Sequence, residues 1–114
     1  MEPILAERLV LEAGGWRSPP LAVALSPVTR WRGLAPHPMG GALLIWARSV
    51  HARTMMVPLT VTRIDRAGVV EGTHRLAPGG VLWFHRAAWN LEMPADAALP
   101  QPGAALVVRP MLDE

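Results

Sequence analysis

Apolar and polar positions alternate along this chain in short stretches of period two. Between Glu7 and Glu12, Leu9 and Leu11 recur on alternate positions, and from Leu21 to Leu25 the residues Leu21, Val23 and Leu25 alternate with Ala22 and Ala24. That period predicts two half-buried strands. Gly14-Gly15 lies between them and can take the positive φ of a tight reversal, which predicts a hairpin. The run Ala42-Leu43-Leu44-Ile45-Trp46 is apolar throughout and of strand length, as a central strand would be. Leu59 to Asp65 and Val69 to Thr73 flank Asp65-Arg66-Ala67-Gly68, which carries Asp at the first and Gly at the fourth place of a type I turn and so predicts a second hairpin. From Ala87 to Met93, alternation puts Trp89, Leu91 and Met93 on one face and Asn90 and Glu92 on the other. A last strand is predicted from Ala104 to Val108.

Punctuation between these stretches completes the outline. Ser26-Pro27-Val28-Thr29-Arg30-Trp31-Arg32-Gly33 has an N-cap residue, a proline suited to the first helical position and a glycine suited to the residue past the end, which predicts one short helix. Pro36 and Pro38 mark an irregular link, and Pro78-Gly79-Gly80 a turn. Pro94 to Gly103 holds three prolines and reads as a loop, with one helical turn around Asp96-Ala97-Ala98. The expected fold is mainly β: a small antiparallel, barrel-like sheet of about seven short strands with one short helix, forming a single domain over residues 1–114.

Composition narrows the chemistry. The 114 residues contain no cysteine, which excludes disulfides, thiolate metal sites and a cysteine nucleophile. The longest apolar run, Ala42 to Ala47, is far shorter than the roughly 18 residues of a membrane helix. Met1-Glu2-Pro3 is followed by no Lys or Arg before Arg8, unlike a secretory signal, so a soluble cytoplasmic protein is expected. The sequence pI is about 11.0 although the net charge is only +2, because all eleven basic residues are Arg and no Lys, Tyr or Cys titrates between the His and Arg ranges. Residues 28–86 hold eight Arg against Asp65 and Glu71, a net +6, while the flanking segments are acidic. A basic face is therefore conceivable, although nucleic acid is not the expected partner.

The segment Val50-His51-Ala52-Arg53-Thr54-Met55-Met56-Val57-Pro58-Leu59-Thr60, continued by Ile64-Asp65-Arg66-Ala67-Gly68, resembles the signature of the bacterial and archaeal family known as domain of unknown function 192. His51, Met55, Pro58, Leu59, Asp65 and Gly68 fall in register with it. Arg30-Trp31-Arg32-Gly33-Leu34 resembles the family's Arg-x-x-Gly-Leu-Met, Arg75-Leu76-Ala77-Pro78 its Leu-x-Pro element, Leu91-Glu92-Met93-Pro94-Ala95 its Leu-Glu-Leu-x-Ala-Gly element, and Pro102-Gly103 its final Gly-Asp. The likeness runs from about residue 20 to 108 and rests on the order of these motifs. Four positions depart from it: Thr60 and Ala104 stand where Asp is usual, Ala52 where Thr is, and Asp96 where Gly is. The resemblance implies a compact, mainly β domain without an assigned reaction or cofactor.

Among side chains with chemistry, His51 leads, because imidazole can bind, shuttle protons or ligate a metal near neutral pH. Structural hydrogen bonding is the alternative reading of the same residue. The first functional expectation is a non-enzymatic binding groove for a small ligand or protein partner near His51, Met55, Thr60 and Glu92. A second is an acid–base enzyme in which Glu92 orients His51 while Arg30 or Arg53 holds an anionic substrate. The third is a basic face for a polyanion. His37, His51, His74 and His85 lack metal-ligand spacing, there is no Gly-x-Ser-x-Gly elbow, and the glycine pairs do not form a phosphate loop. No metal or cofactor is expected, and the chain should be a monomer or small homo-oligomer. Trp46 and Trp89 suit the core, whereas in Trp83-Phe84-His85-Arg86 one of the two adjacent rings should face solvent and could form a partner-binding patch.

Overall fold

The computed structural model describes residues 9–23, 41–52 and 56–110. The predicted helix over 26–33, the proline link at 36–38, and Arg30, Arg53 and Met55 lie outside the described residues. Among the described residues eight strands form one sheet: β1 (Leu9–Ala13), β2 (Trp16–Arg17), β3 (Leu21–Val23), β4 (Ala42–His51), β5 (Leu59–Ile64), β6 (Val70–Leu76), β7 (Val81–Pro94) and β8 (Val107–Pro110). Their order is β2-β1-β3-β4-β7-β5-β6, with β8 on the other flank of β1, and the sheet curls into a half-barrel. The architecture is mainly β, as the period-two pattern predicts.

The sheet is mixed rather than wholly antiparallel: β3 and β4 run parallel, with Leu21 opposite Ala42 and Val23 opposite Leu44. A parallel neighbour needs a crossover rather than a tight turn, and the chain between Val23 and Ala42 is long enough for one. The predicted β5–β6 hairpin forms; at Gly14-Gly15 the chain reverses as predicted, but β1 pairs across the turn with the short β2, which the pattern does not mark, and meets β3 only at Leu9 opposite Leu21. Gly14 turns β1 into β2 at φ +58°. At the β5–β6 turn Asp65 Oδ1 accepts the backbone N–H groups of Ala67 at 2.8 Å and Val69 at 3.0 Å, and Gly68 has φ +86°. Asp65 thus satisfies the turn's own donors, as an Asx residue does.

Residues 103–110 differ from the predicted strand over 104–108. Ala105 makes a single bridge to Val69, flanked by Val70 N–H to the Ala104 carbonyl at 2.9 Å and Leu106 N–H to the Gly68 carbonyl at 2.8 Å. The chain then continues as β8 along β1, with Val107 opposite Glu12. This C-terminal segment joins the β6 edge to β1 and so ties the two ends of the sheet together. It also covers backbone at an edge that would otherwise be open to pairing.

Two apolar clusters occupy the two faces of the central strands. One gathers Leu43, Ile45, Val50, Ala52, Leu59, Val61 and Leu76, and the other gathers Leu11, Leu21, Ile64, Val70, Leu91 and Met93. Strands buried on both sides lose the polar alternation of a solvent-facing strand, and β5 is buried at all six positions. Full burial of side chains such as Leu43, Val61, Leu91 and Met93 stabilises by about 1.5–3 kcal/mol each. No helix among the described residues is long and apolar enough to cross a membrane.

Candidate functional site

The β4–β7 ladder sets the geometry of every candidate side chain. Its register is regular from Leu43 opposite Glu92 to Ala47 opposite Ala88, then resumes at Ser49 opposite Trp83. Between those pairs β4 contributes Arg48 alone, whereas β7 contributes Phe84, His85, Arg86 and Ala87. Such a bulge strips backbone groups of their ladder partners. The sequence fills the gap with Arg63 and Asn90, which face each other across β5 and β7. Arg63 is only 4% exposed; its Nη1 donates to the Ala47 carbonyl and to Asn90 Oδ1, both at 3.1 Å, and its Nη2 donates to the Arg86 carbonyl. Asn90, fully buried, donates from Nδ2 to the carbonyls of Ile45 at 3.2 Å, Ala47 at 3.0 Å and Ala88 at 3.1 Å.

The guanidinium of Arg63 also lies 3.9 Å from the centre of the Phe84 ring, and the His74 ring packs edge-on against the same ring at 5.0 Å. Burial holds the Arg63 pKa below its ordinary value, opposed by the charge of Glu71 and reinforced by that of Arg86. An arginine starts so far above neutrality that it stays cationic. Neither Arg63 nor Asn90 is among the site residues expected from the sequence. The signal was present: Leu59, Val61 and Arg63 share one period, so Arg63 had to follow the leucine and valine into the core face.

Glu92 is 1% exposed and stands in a row of paired residues running Ala22, Leu43, Glu92, Val61 and His74 across five strands. Its neighbours Leu43 and Val61 belong to the first apolar cluster, and its Oε1 has no hydrogen-bond partner among the described residues. Burial pushes its pKa up to about 8, so the carboxyl is protonated and neutral at pH 7. Thr60, 7% exposed with an unpartnered Oγ1, is flanked by Leu59 and Val61 and pairs with Met93, which puts it on the opposite face from Glu92.

His51 is half-buried at the end of β4, beside Val50 and Ala52 of the first cluster. Strand alternation therefore sends His51 and Glu92 off opposite faces of the ladder. The expected pairing of His51 with Glu92 is not assembled: the polar alternation of Asn90 and Glu92 suggested a solvent face, but the β4–β7 bulge and the curl of the sheet bury that face too. On the side of His51, the ladder presents Val81 opposite His51 and Trp83 opposite Ser49, and these two apolar residues are 47% and 77% exposed. Phe84 turns inward against the first cluster, so of the adjacent rings Trp83 is the solvent-facing one. Trp46 and Trp89 meet edge-to-face at 5.4 Å on the face of the second cluster. Met56 and Val57 add further exposed apolar surface at 89% and 55%.

Three open clefts are lined by other residues. One of about 620 Å³ includes Trp46, Asp65, Arg66, Glu71 and Arg86, with the Arg66 guanidinium 5.7 Å from the Trp46 ring. A second of about 440 Å³ includes Arg63, Thr73, His74, Phe84, His85 and Arg86. The third, of about 550 Å³, lies between the β1–β2 turn and the C-terminal loop. Among the described residues no group of three or more His, Asp or Glu is placed to hold a metal ion.

No protein-family model and no curated protein matches this chain. Among solved structures it is similar to a crystal structure from Sinorhizobium meliloti 1021 described as that of a "putative transcription regulator", with a TM-score of 0.67 and 20% sequence identity over 90% of this chain and 92% of the other. At that identity the likeness concerns the fold alone.

Proposed function

We propose that this chain is a non-enzymatic β binding module that engages a protein partner through the face of the β4–β7 ladder carrying His51. The observation that carries the reading is Trp83, 77% exposed, beside exposed Val81 and across from Ser49 and His51. Large aromatic side chains held in solvent on a rigid strand are favoured anchors of protein interfaces, because they bury much area for little loss of side-chain freedom. Val81 and Trp83 line none of the three clefts described above, which favours a protein partner over a small ligand at this face.

The acid–base reading loses its motive, since a neutral carboxyl buried on the opposite face cannot orient the imidazole. A polyanion-binding reading would suit the name given to the structurally similar protein. The ion pairs work against it: Glu12 takes both Arg17 at 2.7 Å and Arg109 at 3.2 Å, and Glu71 takes Arg86 at 2.5 Å. Kinship with domain of unknown function 192 belongs to this proposal as well, supported by Asp65 and Gly68 at the β5–β6 turn, Pro78 between β6 and β7, and Leu91-Glu92-Met93-Pro94 closing β7. In this reading the protein is a bacterial cytoplasmic module, a monomer or small homo-oligomer when free.

Selection from a random peptide library, followed by NMR mapping on the labelled protein, tests the proposal. Selected peptides should perturb His51, Val81 and Trp83 and lose binding to Trp83→Ser. Peptides that map elsewhere, or bind Trp83→Ser equally well, overturn it.

A further inference from the structure

On the inward side of β7, away from Trp83, the second cleft contains a buried cation whose hydrogen-bonding capacity is not used up. A guanidinium carries five N–H groups. Those of Arg63 that are occupied go from Nη1 to the Ala47 carbonyl and Asn90 Oδ1, and from Nη2 to the Arg86 carbonyl. Nε–H and one Nη2–H remain, on adjacent nitrogens. Arg63 itself lines this cleft. No carboxylate among the described residues forms an ion pair with Arg63, because Glu71 is held by Arg86 at 2.5 Å. Every acceptor it has is a neutral carbonyl or amide oxygen.

We infer that this cleft is a binding site for a small carboxylate with an apolar body, its two oxygens accepting from Arg63 and its body lying against Phe84. The pair of free N–H groups on neighbouring nitrogens suits a planar carboxylate, and such charge-assisted bonds are about twice as strong as neutral ones. Phe84 supplies an apolar wall, already in contact with the guanidinium at 3.9 Å. Thr73, His74, His85 and Arg86 complete a polar rim around a volume of about 440 Å³, which suits a small organic molecule. Glu71 is the one acidic side chain on the lining, and it sets the affinity: its charge opposes an incoming anion, while its ion pair with Arg86 withholds a second cation.

The test follows the Arg63 Nε–H resonance of the full chain in ¹H–¹⁵N NMR spectra as sodium benzoate is added at constant ionic strength, with chloride as control and inorganic phosphate as competitor. The expected result is a saturable shift of Arg63 Nε–H with benzoate. Glu71→Gln should bind about tenfold more tightly and Arg86→Gln about tenfold more weakly, the change of one charge-assisted contact in each direction. At the cleft rim the Arg86 side chain is mostly exposed and that of Glu71 partly so, and unchanged spectra outside the cleft verify that both variants fold. Trp83→Ser should bind benzoate as the wild type does, which separates this site from the proposed partner face. A shift that grows linearly without saturating, saturation by phosphate and not benzoate, or equal affinities in the two variants overturns the proposal.

Discussion

Glu92→Gln exchanges the buried carboxyl for a group of nearly the same shape that does not titrate. In the folded protein the Glu92 pKa is pushed from 4.5 to about 8 by burial, while in the unfolded chain it returns to the ordinary range. Between those values the native state holds a proton that the unfolded state has lost, so the unfolded state binds fewer protons and stability falls as pH rises. The loss begins above about pH 4.5, proceeds at about 1.4 kcal/mol per pH unit, and is complete above about pH 8, a total of about 5 kcal/mol. That is a large fraction of the 5–15 kcal/mol typical of a domain. Urea unfolding at several pH values from about 5 to 8, carried out on wild type and Glu92→Gln, measures it. Contributions common to both proteins cancel in the difference, and a fixed penalty from the buried amide offsets it by a constant without changing its slope. The variant should gain on the wild type steadily with rising pH. A difference in stability that stays constant across the window refutes the buried, neutral carboxyl.

Other substitutions probe the frame around it. Gly68→Val forces a branched side chain into φ +86° with a Cβ 3.2 Å from the Leu106 carbonyl, and should lower stability by about 2 kcal/mol or more in chemical denaturation; an unchanged midpoint would contradict the role of that turn in seating the C-terminal segment. Asn90→Leu leaves the Ile45 and Ala88 carbonyls and an Arg63 donor without their partner, so thermal unfolding should report a loss of about 3 kcal/mol or more, and a near-neutral effect would show that the bulge does not need the amide. Trp83→Ser should change folding stability by no more than about 0.5 kcal/mol, because its ring is mostly in water; a large loss would mean that the ring packs within the fold instead of serving a partner.

Local periodicity disclosed most of the strands, because each is specified by residues adjacent in the chain. Ala42 to Trp46 and Ala87 to Met93 fall within strands, Leu59 to Ile64 forms β5, and Asp65 with Gly68 makes the turn that their positions require. The parallel β3–β4 pair and the closure by residues 103–110 join segments far apart in sequence, and nothing within a single strand specifies them. The candidate site was legible only in part. Trp83 facing out and Phe84 facing in follow from adjacency on a strand. Glu92 reads as solvent-facing because a polar residue in an alternating strand ordinarily faces water, whereas the burial of both faces arises from the curl of the whole sheet. Arg63 does not read as core because an arginine is seldom buried, and the carbonyls released by the distant β4–β7 bulge give it a reason to be there.

The central claim is that His51 and Glu92 leave the β4–β7 ladder on opposite faces, the imidazole beside Val81 and the carboxyl among Leu43 and Val61. A nuclear Overhauser spectrum of the folded protein reads those neighbourhoods directly. The account predicts contacts from the Glu92 γ-protons to the Leu43 and Val61 methyl groups and from the His51 ring to the Val81 methyls. Contacts between the His51 ring and the Glu92 γ-protons would contradict it.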